Sequence, residues 1–182
     1  MQIKGSDSVD YKEAMEVGLK LMENKQDQNF GLLIICGVNM GLRISDLLNI
    51  EYGQLKSGKF IIKEKKTDKG RIIVVNSAVI KALTQLDTPI WLEEDGARVF
   101  TSSKGTTFSP QHVNRLLKGA FGSSNVSSHS LRKGFGRRFY ELEGQDGLSN
   151  LQRQFNHSDP ETTLDYIGIT QDELNSMYER IV

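Results

Sequence analysis

This chain of 182 residues has little cysteine, few histidines and no long apolar run, and each of these features disfavours a class of protein. A single cysteine, Cys36, excludes an internal disulfide and predicts a buried thiol in a reducing, cytoplasmic compartment. None of the three histidines has a second histidine or a cysteine at metal-ligand spacing, which disfavours a zinc site. The apolar run over 31–40 is too short to cross a bilayer and too far from the first residue to be a signal peptide. We therefore expect a cytoplasmic protein that binds neither a metal ion nor a membrane.

The chain also lacks net charge, because 23 Lys and Arg balance 23 Asp and Glu. A globally basic nucleic-acid binder is thereby excluded. The charges are unevenly spread, however: six basic and two acidic residues lie in 59–71, and four basic and no acidic residues lie in 132–138. Nine acidic and two basic residues follow over 141–182. A molecule with two local basic segments can still bind a polyanion.

Common nucleotide and hydrolase motifs are missing as well. Neither a GxxxxGK[ST] phosphate loop nor a GxGxxG dinucleotide fingerprint is present, which disfavours ATP and dinucleotide cofactors. No GxSxG nucleophile elbow is present, so an α/β-hydrolase is disfavoured too.

Hydrophobic periodicity predicts one mainly α-helical α+β domain with a small antiparallel sheet. The run over 28–40 is apolar on nearly every face, which predicts a central helix that ends at Gly41. Two β-branched runs, 59–63 and 71–76, predict a β-hairpin, to which 51–55 would add a third strand. The remaining signals predict further helices: one spans 9–25 and one begins at Ser45 as an N-cap. Others begin at Ser77, Ser109, Ser130, Leu148 and Asp159. An amphipathic segment follows over 171–182.

Two short clusters carry groups suited to phosphate chemistry. In the first, His129-Ser130-Leu131-Arg132, Ser130 can cap a helix whose free N–H groups point the same way as the flanking histidine and arginine. The same four residues also suit a surface helix whose arginine pairs with a carboxylate. A phosphate site and a purely structural helix start are both compatible with this cluster.

The second cluster begins at His157. Asp159 is placed to cap a helix, Pro160 suits its first position, and Tyr166 follows about two turns later, before Gly168 ends the helix. The phenol of Tyr166 is a candidate nucleophile at a site that His157 also borders. A tyrosine at this spacing also suits the apolar face of an amphipathic helix, so both roles stay open.

Together with GLRISDLL over 41–48, these clusters resemble the catalytic domain of the tyrosine recombinase (phage integrase) family. That family carries, in order, an arginine in a GLR-I-S-[ED]-L-L segment, a lysine on a β-hairpin, H-x-x-R, a histidine or tryptophan, and a tyrosine nine residues later. The matching motifs span 41–168, nearly the whole chain. The family's catalytic set falls here on Arg43, Lys66, His129, Arg132, His157 and Tyr166.

The resemblance implies a site-specific recombinase or integrase that cuts and rejoins DNA through a 3′-phosphotyrosine intermediate. Tyr166 would be the nucleophile, and Arg43 and Arg132 would clamp the phosphate with bidentate hydrogen bonds. His129 and His157 would donate to the phosphoryl oxygens, and His129 would also help to take the proton of the phenol. Because one phosphodiester is exchanged for another, this chemistry implies no ATP, metal ion or other cofactor.

A hairpin lysine has a separate role in the family, since the leaving 5′-oxygen needs a proton. We assign this role to Lys66, because Lys66-Thr67 and the short turn after it match the hairpin of the family. Lys65 and Lys69 stay open as alternatives.

The implied partner is double-stranded DNA, bound by a homotetramer that assembles on it from chains that are monomers alone. Residues 171–182 would pack on a neighbouring subunit or fold back on their own domain. Arg137 and Arg138 suit contact with DNA, and they suit a helix face exposed to water equally well. The candidate DNA-binding residues are Lys65, Lys69, Arg71, Arg137 and Arg138.

Residues 1–182 are expected to form a single catalytic domain, without the N-terminal core-binding domain of the family, since Arg43 lies close to the start. Two alternative functions stay open: a type IB topoisomerase-like nicking and closing enzyme, and a DNA-binding module that keeps the fold without cleaving. The chain has Asn156 where the family commonly has glycine, and we expect asparagine to tolerate the left-handed backbone there. Asp46 replaces the commoner glutamate and keeps a carboxylate near Arg43.

Overall fold

Helices dominate the described part of the chain, and an antiparallel pair of strands lies among them, so the predicted α+β class is confirmed. The computed structural model of the protein describes residues 5–63, 70–87, 92, 94, 96–102, 104–170 and 173. The helices are α1 (Tyr11–Met22), α2 (Gln28–Met40), α3 (Ile44–Leu47), α4 (Tyr52–Lys56), α5 (Ser77–Thr84), α6 (Pro110–Ala120), α7 (Ser128–Glu143), α8 (Leu148–Phe155) and α9 (Pro160–Ile167); the strands are β1 (Lys59–Lys63) and β2 (Gly70–Val74).

Helix α2 lies at the centre of the core, as its composition predicts. Twelve of its thirteen residues are buried, and α1, α5 and α7 pack against it. It ends at Gly41, whose φ of 59° stops the helix as predicted. Cys36 is fully buried, also as predicted, and this burial raises the pKa of its thiol. Within the described ranges, no helix is long and apolar enough to cross a membrane.

The predicted hairpin is confirmed. Strands β1 and β2 pair from Lys59 opposite Val74 to Lys63 opposite Gly70. Phe60 on β1 is buried, which follows from the alternation of side chains along a strand. The connection over 64–69, which carries the candidates Lys65, Lys66 and Lys69, lies outside the described residues. So does the predicted segment 171–182, apart from residue 173.

Several predicted helix starts are also confirmed. The side chain of Ser109 accepts a hydrogen bond from the N–H of His112 at 3.2 Å, and that of Asp159 accepts one from the N–H of Thr162 at 2.7 Å. Helices α5 and α8 begin where the sequence predicts. Short polar side chains therefore mark the starts of α6 and α9.

Two local predictions in the first half of the chain are wrong. Residues 51–55 do not form a strand: Glu51 and Gln54 form a reciprocal capping box that starts α4 instead. Ser45 is not an N-cap, because α3 begins one residue earlier and has no side-chain cap at all. Burial of Leu47 against the core, rather than a polar cap, sets the position of this short helix.

A second, smaller apolar cluster holds α8 and α9 against α7. Its buried members are Leu151, Phe155 and Ile167. Gly136 on α7 permits the contact, since a Cβ atom there would lie 2.6 Å from the side chain of Ile167 and 2.8 Å from the ring of Phe155. The cluster brings the carbonyl end of α8 close to the start of α7.

A glycine contact between α1 and α2 gives a test of the core. A Cβ atom on Gly31 would lie 2.5 Å from the carbonyl oxygen of Gly18 and 2.8 Å from the side chain of Met22. We expect Gly31→Ala to lower the free energy of unfolding by about 1–3 kcal/mol, because the two helices must separate. Urea denaturation measures this change. Gly119→Ala in α6 is the control, since its Cβ atom would meet nothing within 4 Å; equal effects would contradict the close crossing.

Candidate active site

Helix α7 begins with a capping box that positions His129 and Arg132. The hydroxyl of Ser127 accepts a hydrogen bond from the N–H of His129 at 3.2 Å. The hydroxyl of Ser130 accepts one from the N–H of Ser127 at 3.0 Å. The prediction that Ser130 is the N-cap is therefore wrong: Ser127 is the cap, and Ser130 closes the box from the third helical position. This start leaves His129 exposed and directs Arg132 inward.

Arg132 is a buried charge held by two helix ends. Only 4% of the residue is exposed. Its Nη1 donates to the carbonyl of Gly41 at 2.6 Å and its Nη2 to the carbonyl of Phe155 at 3.2 Å. The guanidinium also lies 4.4 Å from the centre of the Phe155 ring. Burial is the main cause that lowers the pKa of Arg132 to about 10, with a smaller contribution from Arg43 and Arg71. The group still carries its charge at neutral pH.

The side chain of Arg43 contacts the same carbonyl as Arg132, that of Phe155. Its Nη2 donates to the carbonyl of Phe155 at 3.3 Å, while the residue as a whole is exposed. It lies between the end of α2 and the start of α3, in extended backbone. The two arginines predicted to clamp a phosphate are therefore brought together on one carbonyl.

Arg71 joins this array, although the sequence marked it only as a candidate contact to DNA. Its Nη1 donates to the carbonyl of Gln154 at 2.6 Å. Its charge contributes to lowering the pKa of Arg132, so the two guanidinium groups lie near each other. Sequence reasoning missed this position, because it depends on where the hairpin packs against α8.

His157 follows the end of α8 through a left-handed residue. Asn156 has φ 57° and ψ 48°, so the expectation that asparagine tolerates this backbone is confirmed. Nδ1 of His157 lies 3.0 Å from Oγ1 of Thr163, a hydrogen bond in which either atom can donate. Burial lowers the pKa of His157, and Arg132 and Arg43 lower it further. The imidazole is therefore mostly neutral at pH 7.

Tyr166 faces both histidines. Its ring meets that of His157 edge to face, with centroids 5.2 Å apart, and its hydroxyl lies 3.5 Å from Nδ1 of His129. Burial raises the pKa of the phenol, against the opposing effect of Arg132. At neutral pH the hydroxyl therefore keeps its proton and needs a base to lose it.

His129 is placed to be that base. Although the residue as a whole is exposed, partial burial of its ring lowers its pKa, and Arg132 and Lys133 lower it further. A neutral imidazole has a free lone pair on one ring nitrogen. The distance of 3.5 Å to the phenol of Tyr166 is at the outer limit of a hydrogen bond, as is common before substrate binds.

Arg137 and Arg138 lie farther along α7 and have protein partners. Arg137 donates to the carbonyl of Gly168 at 2.9 Å and forms ion pairs with Glu141 and Glu173. Arg138 forms an ion pair with Glu141 at 3.5 Å. Contact of these two arginines with DNA stays a prediction.

The described site combines positive guanidinium groups, two neutral imidazoles and a protonated phenol. Guanidinium groups bind the oxygens of a phosphate in fork geometry, and a phenol beside a neutral imidazole can be deprotonated for attack. The arrangement is suited to nucleophilic attack on a phosphodiester. Its members are the predicted residues Arg43, His129, Arg132, His157 and Tyr166, together with Arg71.

Fold and site define a tyrosine recombinase catalytic domain. The model of the phage integrase family matches residues 12–173. The chain therefore belongs to the phage integrase family of tyrosine recombinases, which break and rejoin DNA, and the predicted family is confirmed.

Two curated relatives illustrate the range of similarity. The chain is 30% identical to the probable integrase/recombinase YoeC of Bacillus subtilis over 161 residues, which cover 87% of this chain and 86% of YoeC. It is 27% identical to the TnP I resolvase of Bacillus thuringiensis over 164 residues, which cover 87% of this chain and 56% of the resolvase. The chain thus spans most of one relative and little more than half of the other.

Solved structures show the same fold. XerA recombinase has a TM-score of 0.73 at 20% identity, over 97% of this chain and 65% of XerA. XerH recombinase bound to a palindromic difH substrate has a TM-score of 0.69 at 19% identity, over 94% and 51%. The catalytic domain of bacteriophage HP1 integrase has a TM-score of 0.58 at 18% identity, over 95% and 94%.

The charges around the histidines give a test of the site that needs no substrate. Arg132 and Arg43 both lower the pKa values of His129 and His157. We expect Arg132→Gln to raise both pKa values towards the ordinary value, and Arg43→Gln to raise them less. NMR titration of the ring signals measures this change. Arg98→Gln is the control, because Arg98 pairs with Glu51; unchanged histidine pKa values in Arg132→Gln would contradict the site.

Proposed function

We propose that this chain is the catalytic part of a site-specific DNA recombinase or integrase of a mobile genetic element, and that Tyr166 is its nucleophile. The observation that carries the proposal is the placement of the Tyr166 hydroxyl 3.5 Å from Nδ1 of His129, beside the buried guanidinium of Arg132. A phenol among cations and neutral imidazoles is suited to attack on a phosphate and not to simple packing.

In the cleavage step, the phenolic oxygen of Tyr166 attacks the scissile phosphorus and His129 takes the phenolic proton. The bond from phosphorus to the 5′-oxygen breaks, and the 5′-oxygen leaves as a hydroxyl after it gains a proton. The product is a 3′-phosphotyrosyl link. Attack by the 5′-hydroxyl of a partner strand reverses the step, so the number of phosphodiester bonds is conserved.

Arg43 and Arg132 stabilise the charge that develops on the two non-bridging oxygens during attack. Their partners are backbone carbonyls, which hold the guanidinium groups in place before the substrate arrives. Such preorganisation lowers the barrier, because the site does not have to reorient dipoles during the reaction. His157 donates to the same oxygens when its N–H is on Nε2, the tautomer in which Thr163 donates to Nδ1.

The proposed partner is double-stranded DNA. The structure of XerH holds a difH substrate, and the two basic segments of this chain, 59–71 and 132–138, contain or adjoin the site. Lys65 and Lys69 are proposed to add to the field that draws in the phosphate backbone. Four chains are proposed to assemble on DNA for strand exchange.

Replacement of Tyr166 by phenylalanine tests the nucleophile. We expect wild-type protein, incubated with nicked duplexes tiled across the junctions of its own element, to form an adduct that survives denaturation. Tyr166→Phe should form none, because the attacking oxygen is gone. Denaturing gel electrophoresis with labelled DNA measures the adduct.

Tyr140→Phe is the matched control, since Tyr140 packs against the same small apolar cluster and is not one of the candidate site residues. If wild-type protein forms no adduct, or Tyr166→Phe forms as much, the covalent mechanism is wrong. Transfer of the bound strand to a second duplex then separates a recombinase from a topoisomerase-like enzyme, which reseals only the original strand.

The proposed role of Lys66 as the acid for the leaving oxygen has a chemical test. A substrate with sulfur in place of the bridging 5′-oxygen needs no proton to leave, because a thiolate is a good leaving group. We expect Lys66→Ala to lose at least about a hundredfold in cleavage rate on the oxygen substrate and to recover on the sulfur substrate. Lys65→Ala and Lys69→Ala serve as controls; recovery confined to one of these would move the role to that lysine.

A further inference from the structure

Arg71 reaches the active site from the sheet and not from a neighbouring helix. It lies on β2, paired with Ile62 of β1. Its Nη1 donates to the carbonyl of Gln154 at 2.6 Å. The next carbonyl along the chain, that of Phe155, accepts the hydrogen bonds of Arg43 and Arg132. Arg71 thus links the sheet to Gln154. The next residue, Phe155, carries the carbonyl that holds both Arg43 and Arg132.

The side chain of Gln154 makes a second contact, with the end of α2. Its side-chain Nε2 donates to the carbonyl of Met40 at 3.0 Å, at the end of α2. The adjoining carbonyl, of Gly41, accepts from Nη1 of Arg132 at 2.6 Å. The ends of α2 and α8 are therefore fixed to each other by Gln154 and Arg132, and to the sheet by Arg71.

We propose that Arg71 is a positioning residue of the active site, which acts on Arg43 and Arg132 by holding the carbonyl end of α8. The inference rests on the proposed function and replaces the DNA-backbone role that the sequence suggested for this residue. Misplacement of a reacting group by about 1 Å can cost a hundredfold in rate. His157 lies two residues beyond Phe155, so movement of this helix end would displace it too.

The first experiment compares Arg71→Ala with the control Arg153→Ala. The control also removes one positive charge, but from an exposed residue on α8. We expect the single-turnover rate of adduct formation at saturating DNA to fall at least tenfold in Arg71→Ala and to stay unchanged in Arg153→Ala. Arg71→Lys should recover part of the rate, because an ammonium group can donate to the same carbonyl. A wild-type rate in Arg71→Ala would overturn the inference.

A double-mutant cycle tests whether Arg71 acts through the catalytic arginines. Residues that work through one network show non-additive effects. We expect Arg71→Ala to cost less in an Arg43→Lys background than in the wild type. Fully additive effects would overturn the inference. A wild-type cleavage rate of Arg71→Ala on the substrate with the sulfur leaving group would overturn it too, since Arg71 would then act on the acid that protonates the leaving oxygen.

DNA affinity separates positioning from direct contact. Loss of one phosphate contact reduces the slope of log affinity against log salt concentration by about 1. We expect Arg71→Ala to keep both the wild-type slope and a Kd within about twofold of the wild type. A reduced slope would overturn the inference and restore the DNA-backbone role.

A last measurement needs no DNA and distinguishes failure of this inference from failure of the proposed function. We expect hydrogen–deuterium exchange of the backbone amides over 151–157 to be faster in Arg71→Ala than in the wild type, and unchanged in Arg153→Ala. Unchanged exchange in Arg71→Ala would overturn the inference, whatever the protein does to DNA.

Discussion

The structure depends on the burial of one charged side chain, the guanidinium of Arg132. Removal of a charge from water costs several kcal/mol unless it is paired in good geometry. Here the compensation comes from the carbonyls of Gly41 and Phe155 and from the face of the Phe155 ring. Both carbonyls lie at helix C-termini, the negative ends of helix dipoles, so they stabilise a cation without being charged. The ends of α2 and α8 must therefore meet beside α7, and that meeting point is the candidate active site.

This constraint extends to residues that take no part in the reaction. Gly41 has a φ of 59°, and a Cβ atom on it would lie 2.3 Å from the ring of Phe135. A side chain there would both strain the backbone and displace the carbonyl that holds Arg132. Gly136 is constrained by space alone, because a side chain there would collide with Phe155 and Ile167. Small residues at these positions let three helices approach one guanidinium group closely enough to bind it.

Local signals predicted much of this arrangement, and long-range contacts account for most of the rest. The end of α2 at Gly41 and the cap at Asp159 follow from short stretches of sequence, and the order of the candidate site residues follows from the family motifs. The assignment of 51–55 to a strand failed, because the capping box between Glu51 and Gln54 outweighs the weak strand signal. The contact of Arg71 with the carbonyl of Gln154 could not be predicted, because the two residues are 83 positions apart in the sequence.

The kind of partner that each arginine has explains how a chain without net charge can form a candidate phosphate site. Arg137 and Arg138 pair with glutamates, which cancel their charge locally. Among the residues that the structure describes, Arg43 and Arg132 have no carboxylate partner and donate to carbonyls instead. A carbonyl fixes the direction of a guanidinium and leaves its full charge available to a substrate. The positive field of the site is therefore set by this choice of partner and not by the total number of basic residues.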